Sequence, residues 1–502
     1  MRRLPTATLA GYGSGAVAVA AKDAAVVHFL AFFYSQVVGL PAWLYGLSAF
    51  LAQAIDAFAD PVLGTLSDNT RTRIGRRHPW MAASALPIGA FFLLLFAPPS
   101  EPPDWPLFAW LARGWDALAA AVTWFSVPSA TPAQWAVFCW IALVQTCLRS
   151  LLSVFAIPHT ALGAELSTEY EERTRIVSYR TLLAFIVGIL LPAGAYVFVF
   201  RKVGDADGRL LAANYEVYAW ASAVAAVLAV AIACASTWKL IPELPLAGER
   251  RKLALLDPLR DVAEALRNRN FRWIFLATVA IGASTGVTTI LGTYTFAYFW
   301  EFTTGQAGAL TVFSLIPTFV AFGMLRPLGA RFEKKHITLW CMALVILNSL
   351  WWYGGRLLGL LPANGSGAIF ALAFLHQFVV VAAVVVWSTL YPSMIADVAD
   401  EQEVTTGERK EGVFFAALAF ALKVPTGLGN ALGGLLVYWA GLPAHAEPGT
   451  VDADAVFRLG LAAGPIVAAS YLIPLYLFTR FHLTRERHAE LRRALEERAS
   501  GG

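Results

Sequence analysis

Two aspartates, Asp56 and Asp60, stand four residues apart in an otherwise apolar run from Ala49 to Leu66. In a helix, this spacing places both carboxylates on one face, one turn apart. A carboxylate inside a bilayer costs several kcal/mol, so a pair of them needs a compensating cation, proton or basic partner. The pair therefore predicts a cation or proton site, and the rest of the chain must supply the helices that hold it.

The composition agrees with a membrane setting for this pair. Of 502 residues, 58% are hydrophobic and only 14% are charged, whereas a soluble protein carries about 25% charged residues. We therefore expect an integral membrane protein. The cysteines all lie in hydrophobic segments without ligand spacing, which predicts buried thiols rather than disulfides or metal ligands.

Apolar stretches of about 20 residues are long enough to cross a bilayer. We predict an all-α membrane protein with twelve spans, at 8–37, 42–68, 79–98, 135–163, 176–200, 212–240, 271–300, 307–329, 337–361, 367–393, 411–441 and 455–479. The segment 99–134 has an apolar piece that Arg113 and Asp116 interrupt. It predicts an interfacial hairpin rather than a thirteenth span.

Basic residues collect at alternate connections between the predicted spans. This bias places both termini in the cytoplasm, and we expect the protein to lie in the inner cell membrane. We predict four parts: a six-helix bundle over 1–240 with the extracytoplasmic insert 99–134, a cytoplasmic linker over 241–270, a second six-helix bundle over 271–480 and a cytoplasmic tail over 481–502. Similar glycine and arginine patterns after the second and eighth spans favour an internally duplicated transporter.

Further charged residues interrupt the predicted spans. Lys22 and Asp23 are adjacent in the first span; because neighbouring helix positions diverge by about 100°, we expect at least one of them to find its partner on another helix. Arg149, with Gln145 and Ser153 one turn to either side, gives the fourth span a polar stripe. Arg180 and Lys423 are two further charged residues within the predicted spans. Such residues are functional hypotheses by default, and a charge network that one added cation can rearrange suits a coupled carrier.

Other side chains are less informative. Trp387 could stack on a sugar ring, although packing or a place in the interfacial aromatic belt explains most tryptophans in such a chain. No catalytic set, phosphate-binding loop or metal-ligand spacing stands out, which disfavours an enzyme. The basic runs act as topological signals, so we expect no nucleic-acid partner.

Several motifs, taken together, resemble those of the glycoside–pentoside–hexuronide:cation symporters of the major facilitator superfamily. They are Asp56-x-x-x-Asp60-Pro61, Gly64, Asp68-Asn-Thr-Arg71 and Gly75-Arg-Arg-x-Pro79-Trp80, the pair Lys22-Asp23, the loop from Ile157-Pro158 through Arg173 to Arg180, and the segment from Met394 through Asp397, Asp400 and Arg409 to Gly412. The resemblance covers nearly the whole chain apart from 99–134. It implies twelve transmembrane helices in two six-helix bundles and cation-coupled sugar transport by alternating access.

The resemblance also implies roles for single residues. Asp56 and Asp60 match the family's cation-coordinating carboxylates, Ser153 matches a hydroxyl of that site, and Lys423 matches a lysine linked to it. Asp23 and Arg180 match residues that bind sugar hydroxyls. Lys22, the other member of the retained charged pair, is adjacent to Asp23 in the sequence.

Three departures from the family pattern concern the same sites. A carboxylate of the fourth helix falls on Ala156, a sugar-stacking tryptophan falls on Thr160, and an asparagine of the second helix falls on Ala59. Sodium, like other hard cations, prefers several oxygen ligands, whereas a proton needs a single suitable carboxylate. The departures favour proton coupling; with sodium instead, Asp56 and Asp60 would be metal ligands.

We therefore expect a cation-coupled symporter, driven by H+ or Na+, of a sugar, glycoside or uronate. Its substrate residues would be Asp23, Lys22, Arg180, Arg149, Thr160 and Trp387, with Arg149 serving an anionic substrate such as a hexuronate. The alternatives are a symporter of lysophospholipid or another amphiphile and a non-transporting sensor on a transporter fold. We expect no cofactor besides the coupling ion, a small-molecule and most simply carbohydrate substrate, a lipid bilayer around the protein, and a monomer.

Overall fold

The structure is a computed structural model that describes residues 3–121, 128–167, 169–204, 206–244, 257–407 and 411–500. Within these residues, twelve helices are long and apolar enough to cross a membrane. They are α1 Thr6–Val37, α2 Ala42–Asn69, α3 His78–Leu95, α4 Pro132–Glu165, α5 Glu171–Val199, α6 Ala212–Glu243, α7 Arg269–Phe299, α8 Thr304–Arg331, α9 Lys334–Leu357, α10 Gly367–Thr406, α11 Gly412–Ala440 and α12 Ala453–Thr479. The predicted all-α membrane fold is confirmed.

Several helices extend beyond the apolar segments that predicted them. α10 continues past residue 393 through the acidic segment Asp397–Glu403 to Thr406. It ends where Gly407 adopts a left-handed conformation with φ of 75°, a geometry that glycine adopts without steric cost. Hydropathy marks the membrane-embedded part of a helix, so polar residues that prolong the helix beyond the membrane are missed.

The chain divides into two compact units. The first comprises Met1–Leu255 with the segments Thr303–Gly308 and Gly434–Val451, and the second comprises Leu256–Phe302, Ala309–Gly433 and Asp452–Gly502. Residues 245–256, in the predicted linker, lie outside the described residues. The same holds for Arg409, a member of the motif set quoted above.

Three glycines hold α1 close to its neighbours in the first unit. A Cβ atom added to Gly11 would collide with Ser236 of α6, one added to Gly13 with Leu183 of α5, and one added to Gly15 with the ring of His159 on α4. Small residues let helix backbones approach closely in a membrane. Because α1 fits tightly against α4 and α5, it carries Asp23 to their shared surface.

The helix α4 begins with a well-formed cap and runs for 34 residues. Thr131 accepts a hydrogen bond from the backbone N–H of Gln134, and the Gln134 side chain accepts one from the backbone N–H of Thr131. This reciprocal arrangement satisfies two N–H groups that helices leave unpaired at their start. Pro158 lies inside the helix without ending it, so α4 presents one long face to its neighbours.

The insert between α3 and α4 forms a helix, Pro106–Ala121, that packs against α4. It is not among the helices apolar enough to span a membrane. Residues 122–127 lie outside the described residues, so the second arm of the predicted hairpin stays a prediction.

In the second unit, the tail forms a helix, Arg485–Ser500, that packs against α10 and contacts the end of α8. Arg485 donates hydrogen bonds to the backbone carbonyls of Gly329, Ala330 and Phe332 at the end of α8. His488 lies 3.1 Å from a carboxylate oxygen of Asp400 on α10. The tail is thus attached to the helix ends of its own unit.

Candidate functional site

The carboxylate pair on α2 meets a hydroxyl of α4. Asp56 is buried, with 6% of its surface exposed, and its Oδ1 accepts a hydrogen bond of 3.0 Å from the Ser153 hydroxyl. Asp60 lies one turn further along α2 and is partly buried. The structure therefore brings Asp56 and Ser153 together from helices that pack along one another. Three oxygen-bearing side chains, Asp56, Asp60 and Ser153, lie within this region of the first unit.

A cavity of about 450 Å3 lies in the first unit between α1, α4 and α5. Its polar lining consists of Asp23, His28, His159, Thr160, Arg180 and Thr181. Much of the remaining wall is formed by small residues, among them Ala16, Ala20, Ala156 and Gly188. A cavity with a few polar groups on small-residue walls is suited to a small polar molecule.

Two of the predicted substrate residues are hydrogen-bonded to each other in this cavity. The guanidinium of Arg180 on α5 donates a hydrogen bond of 2.9 Å to the Thr160 hydroxyl on α4. Thr160 stands where the family resemblance placed a stacking tryptophan. The cavity wall therefore offers a hydroxyl and a guanidinium at this point, which suits hydrogen bonding rather than ring stacking.

The expectation for Lys22 and Asp23 was wrong. The Lys22 Nζ lies 2.5 Å from Oδ1 of Asp23, so the two neighbours pair with each other. The directions of adjacent Cβ atoms do diverge, but the flexible four-carbon lysine side chain is long enough to bend back. Asp23 keeps 59% of its side chain exposed, so its carboxylate remains available at the cavity.

His159 is part of the cavity wall and also joins two helices. Its Nε2 lies 2.8 Å from the carbonyl oxygen of Tyr12 on α1, and the Tyr12 hydroxyl donates to the carbonyl oxygen of His159 at 3.0 Å. The two rings stack with centroids 4.4 Å apart. His159 is thus a buried link between α1 and α4.

Arg149 and its neighbour Gln145 are buried on α4. Neither lines the cavity. Arg149 is 9% exposed and Gln145 is 1% exposed. The structure thus places Arg149 on the helix of Ser153 and Thr160, but not against the cavity residues themselves.

Two other predicted residues belong to the second unit. Lys423 lies within α11 and is partly buried. Trp387 on α10 is 4% exposed and packs against Tyr471 of α12, with ring centroids 5.9 Å apart. Their predicted roles in the cation and substrate sites stay predictions.

Among the described residues, no group of three or more His, Cys, Asp and Glu side chains forms a metal site. The cysteines are free thiols.

The geometry of the described residues is that of a membrane transport protein: twelve helices long enough to span a membrane, a carboxylate pair with one buried member, and a polar cavity of small-molecule size. Comparison with known proteins agrees. The family profile described as "MFS/sugar transport protein" matches residues 11–131 and 117–485. The chain belongs to this family, the glycoside–pentoside–hexuronide:cation symporters of the major facilitator superfamily. Its members are membrane transporters rather than enzymes.

Named relatives cover most of the chain. The inner membrane symporter YicJ of Escherichia coli is 25% identical over 98% of this chain and 94% of its own length. The isoprimeverose transporter of Lactiplantibacillus pentosus is 26% identical over 84% of this chain and 77% of its own length. Among solved structures, the nucleoside transporter NupG superposes with a TM-score of 0.60 at 13% identity, covering 95% of this chain and 99% of that one. This likeness shows the shared fold alone.

Proposed function

We propose that this protein is a cation-coupled symporter of a sugar, glycoside or sugar acid that works by alternating access in the inner cell membrane. One observation carries the proposal: a single helix, α4, contributes Ser153 to the buried carboxylate of Asp56 and Thr160 to the polar cavity. Binding a cation at the first site and a substrate at the second would thus act on the same helix.

The residues at the two sites suit these roles. A carboxylate pair with a hydroxyl donor provides negative charge for a proton or sodium ion. In the cavity, Asp23 can accept hydrogen bonds from sugar hydroxyls, while Arg180 and Thr160 can donate them. Relatives named as a symporter and as an isoprimeverose transporter support a carbohydrate substrate.

Proton coupling is favoured over sodium coupling. Ala59 and Ala156 stand at positions where the family pattern has oxygen-bearing side chains, and neither can provide a ligand. Sodium binding relies on several oxygens, whereas proton binding relies on one carboxylate. The role of Lys423 in the cation site rests on the family resemblance alone.

Exchange in proteoliposomes tests this function. The purified protein is loaded with one sugar of a panel of pentoses, hexoses, glycosides and uronates, and entry of the labelled sugar is followed with and without sodium across a pH range. We expect exchange of at least one carbohydrate without sodium. A sensor on a transporter fold would show no exchange of any compound, and dependence on sodium at constant pH would contradict proton coupling.

A further inference from the structure

His28 is a polar residue of the cavity wall that the transport cycle proposed above does not use. It is partly buried on α1 and lines the cavity. Its ring contacts Phe29 and Tyr196, and among the described residues its ring nitrogens form no hydrogen bond and no ion pair. A neutral imidazole has one N–H donor and one acceptor nitrogen. Both remain available to a molecule in the cavity.

A π-helical turn of α1 brings His28 toward the side of Asp23. In a regular α-helix, five positions turn the chain through about 500°, so His28 would lie about 140° away from Asp23. From Ala25 to Leu30, however, α1 is π-helical. The i→i+5 hydrogen bonds of such a turn spread it over more residues, and such turns recur at functional sites. The angle between the two side chains is thereby reduced, and Asp23 and His28 line the same cavity.

Aromatic packing fixes the position of the His28 ring. Tyr196, in a π-helical turn of α5, meets His28 edge to face, with ring centroids 5.9 Å apart and an angle of 88° between the rings. Phe29 packs on the same tyrosine at 5.0 Å and on Phe200 at 4.7 Å. Ring contacts therefore hold the imidazole in place without occupying its nitrogens.

His28 and Arg180 lie toward opposite ends of the cavity. A Cβ atom added to Gly13 of α1 would touch the backbone of Tyr179 on α5. Further along both helices, His28 meets Tyr196. The two helices thus run side by side in the same direction, and Arg180, which directly follows Tyr179, begins level with Gly13. His28 lies about 20 Å further along the axis by the rise of a helix. The guanidinium and the imidazole therefore face different parts of a molecule that fills the cavity.

We propose that His28 is a specificity-determining residue that hydrogen-bonds a hydroxyl group in the aglycone or second sugar of a glycoside whose first sugar is held by Asp23 and Arg180. The proposal rests on the proposed function and deepens it, because it states which part of the substrate His28 recognises. A hydroxyl can donate to or accept from an imidazole nitrogen. A site that hydrogen-bonds a hydroxyl rejects the analogue without it, because the polar groups of the site are then left unpaired.

His28 could instead take part in moving the coupling proton. The contacts disfavour this role, because no carboxylate of the described residues forms an ion pair with His28, whereas the buried carboxylate of Asp56 bonds Ser153. The two roles also differ in outcome. A proton relay affects transport of every substrate, whereas a contact with the aglycone affects only substrates that have the hydroxyl.

Pairs of probes that differ in one hydroxyl group test the proposal. Hydroxyethyl and n-propyl glycosides have aglycones of nearly equal size that end in a hydroxyl and a methyl group, respectively. The pairs are made with glucose, galactose and xylose, each as both anomers, and compete against exchange of a labelled sugar by the full-length protein in proteoliposomes. In at least one pair, we expect the hydroxyethyl glycoside to compete at about tenfold lower concentration. His28→Phe should remove this preference and leave competition by the propyl glycoside within about twofold.

Three further variants complete the test. His28→Gln keeps hydrogen-bonding atoms at this position and should retain part of the preference. His28→Leu lacks them, as His28→Phe does, and decides the question if His28→Phe fails to fold. His482→Phe, the same change at an exposed residue near the tail helix, is the matched control and should leave the preference intact.

Exchange of a sugar by the wild-type protein, with equal competition by both members of every probe pair, would overturn the role of His28 and leave the proposed function standing. A preference that persists in folded His28→Phe would also overturn it, as would an equal loss of competition by both probes in that variant. Failure to exchange any sugar of the wider panel would contradict the proposed function itself.

Discussion

At the scale of single residues, Arg77 is the centre of a buried ionic network at the junction of α2, α3 and α4. It is 5% exposed, and its guanidinium lies 2.6 Å from Asp68 and 2.9 Å from Glu165, with a further hydrogen bond of 2.9 Å to the Ser67 hydroxyl. Arg76 also contacts Glu165, at 2.8 Å. The network connects the end of α2, the start of α3 and the end of α4.

Replacing Arg77 should therefore destabilise the first unit. Arg77→Ala leaves Asp68 without its guanidinium partner and Glu165 with Arg76 alone, and breaking a buried ion pair typically costs about 3 kcal/mol. We expect a clearly lower melting temperature for the purified protein in detergent. Arg73→Ala, at an exposed position of the same basic run, is the control and should melt like the wild type; equal melting of the two variants would show that the network contributes little.

The sequence located some residues of the site and missed others, for physical reasons. Asp56 and Asp60 were conspicuous because charge is costly in a membrane. Ser153 was visible as part of the polar stripe of α4, but its role beside Asp56 came only from the family resemblance, because a hydroxyl in a helix can bond its own backbone and has no distinctive sequence signal. Arg77 belongs to the basic run after the second span, and nothing in its spacing distinguishes a buried arginine from an exposed one.

At the scale of elements, the insert helix Pro106–Ala121 has two apolar sides. Phe108 and Ala112 are buried, and Trp115 stacks on Trp43 at the start of α2 with centroids 5.0 Å apart. A second apolar stripe is exposed: Leu107 is 50%, Trp110 63% and Leu118 59% exposed. Their helical spacing places them on one side, with Asp116 on the opposite side and Arg113 at the edge of the stripe, beside Trp110. Such a helix suits the boundary between lipid and water.

We expect the exposed stripe to contact lipid. In a variant without the native cysteines, a spin label introduced by Leu118→Cys should be relaxed mainly by oxygen, which concentrates in lipid. A label introduced by Asp116→Cys, on the polar side of the same helix, should be relaxed mainly by a water-soluble nickel reagent. Equal access of the nickel reagent to both labels would mean that the helix stands clear of the bilayer.

The elements themselves were predictable to the extent that hydropathy defines them. All twelve spans were found because about 20 apolar residues have few uses other than crossing a membrane. The extension of α10 through its acidic segment was not predictable, because this segment lies beyond the apolar run. The polar stripe of α4 was visible from the spacing of Gln145, Arg149 and Ser153. The packed structure was needed to show that Ser153 bonds Asp56, whereas the Gln145 amide and Nε of Arg149 have no hydrogen-bond partner among the described residues.

At the scale of the whole molecule, composition and charge distribution indicated a multi-pass membrane protein before any motif was considered. The comparisons confirm the family. The orientation of the termini stays a prediction from the basic clusters. Substrate and coupling ion could not be derived from the sequence, because both depend on which side chains meet in three dimensions and on a few oxygen atoms that the chain replaces with alanine.

The central claim is that the carboxylate pair on α2 couples sugar movement to a cation. The most direct measurement is accumulation of labelled sugar against its gradient in proteoliposomes, driven by an imposed proton or sodium gradient, in parallel with sugar exchange at equilibrium. Asp56→Asn is compared with Asp104→Asn, the same change at an exposed position of the insert.

We expect Asp56→Asn to abolish accumulation and to retain exchange, because an amide resembles the neutralised carboxyl and exchange needs no net movement of the cation. Asp104→Asn should retain both activities. Accumulation by Asp56→Asn at the wild-type level would contradict the account.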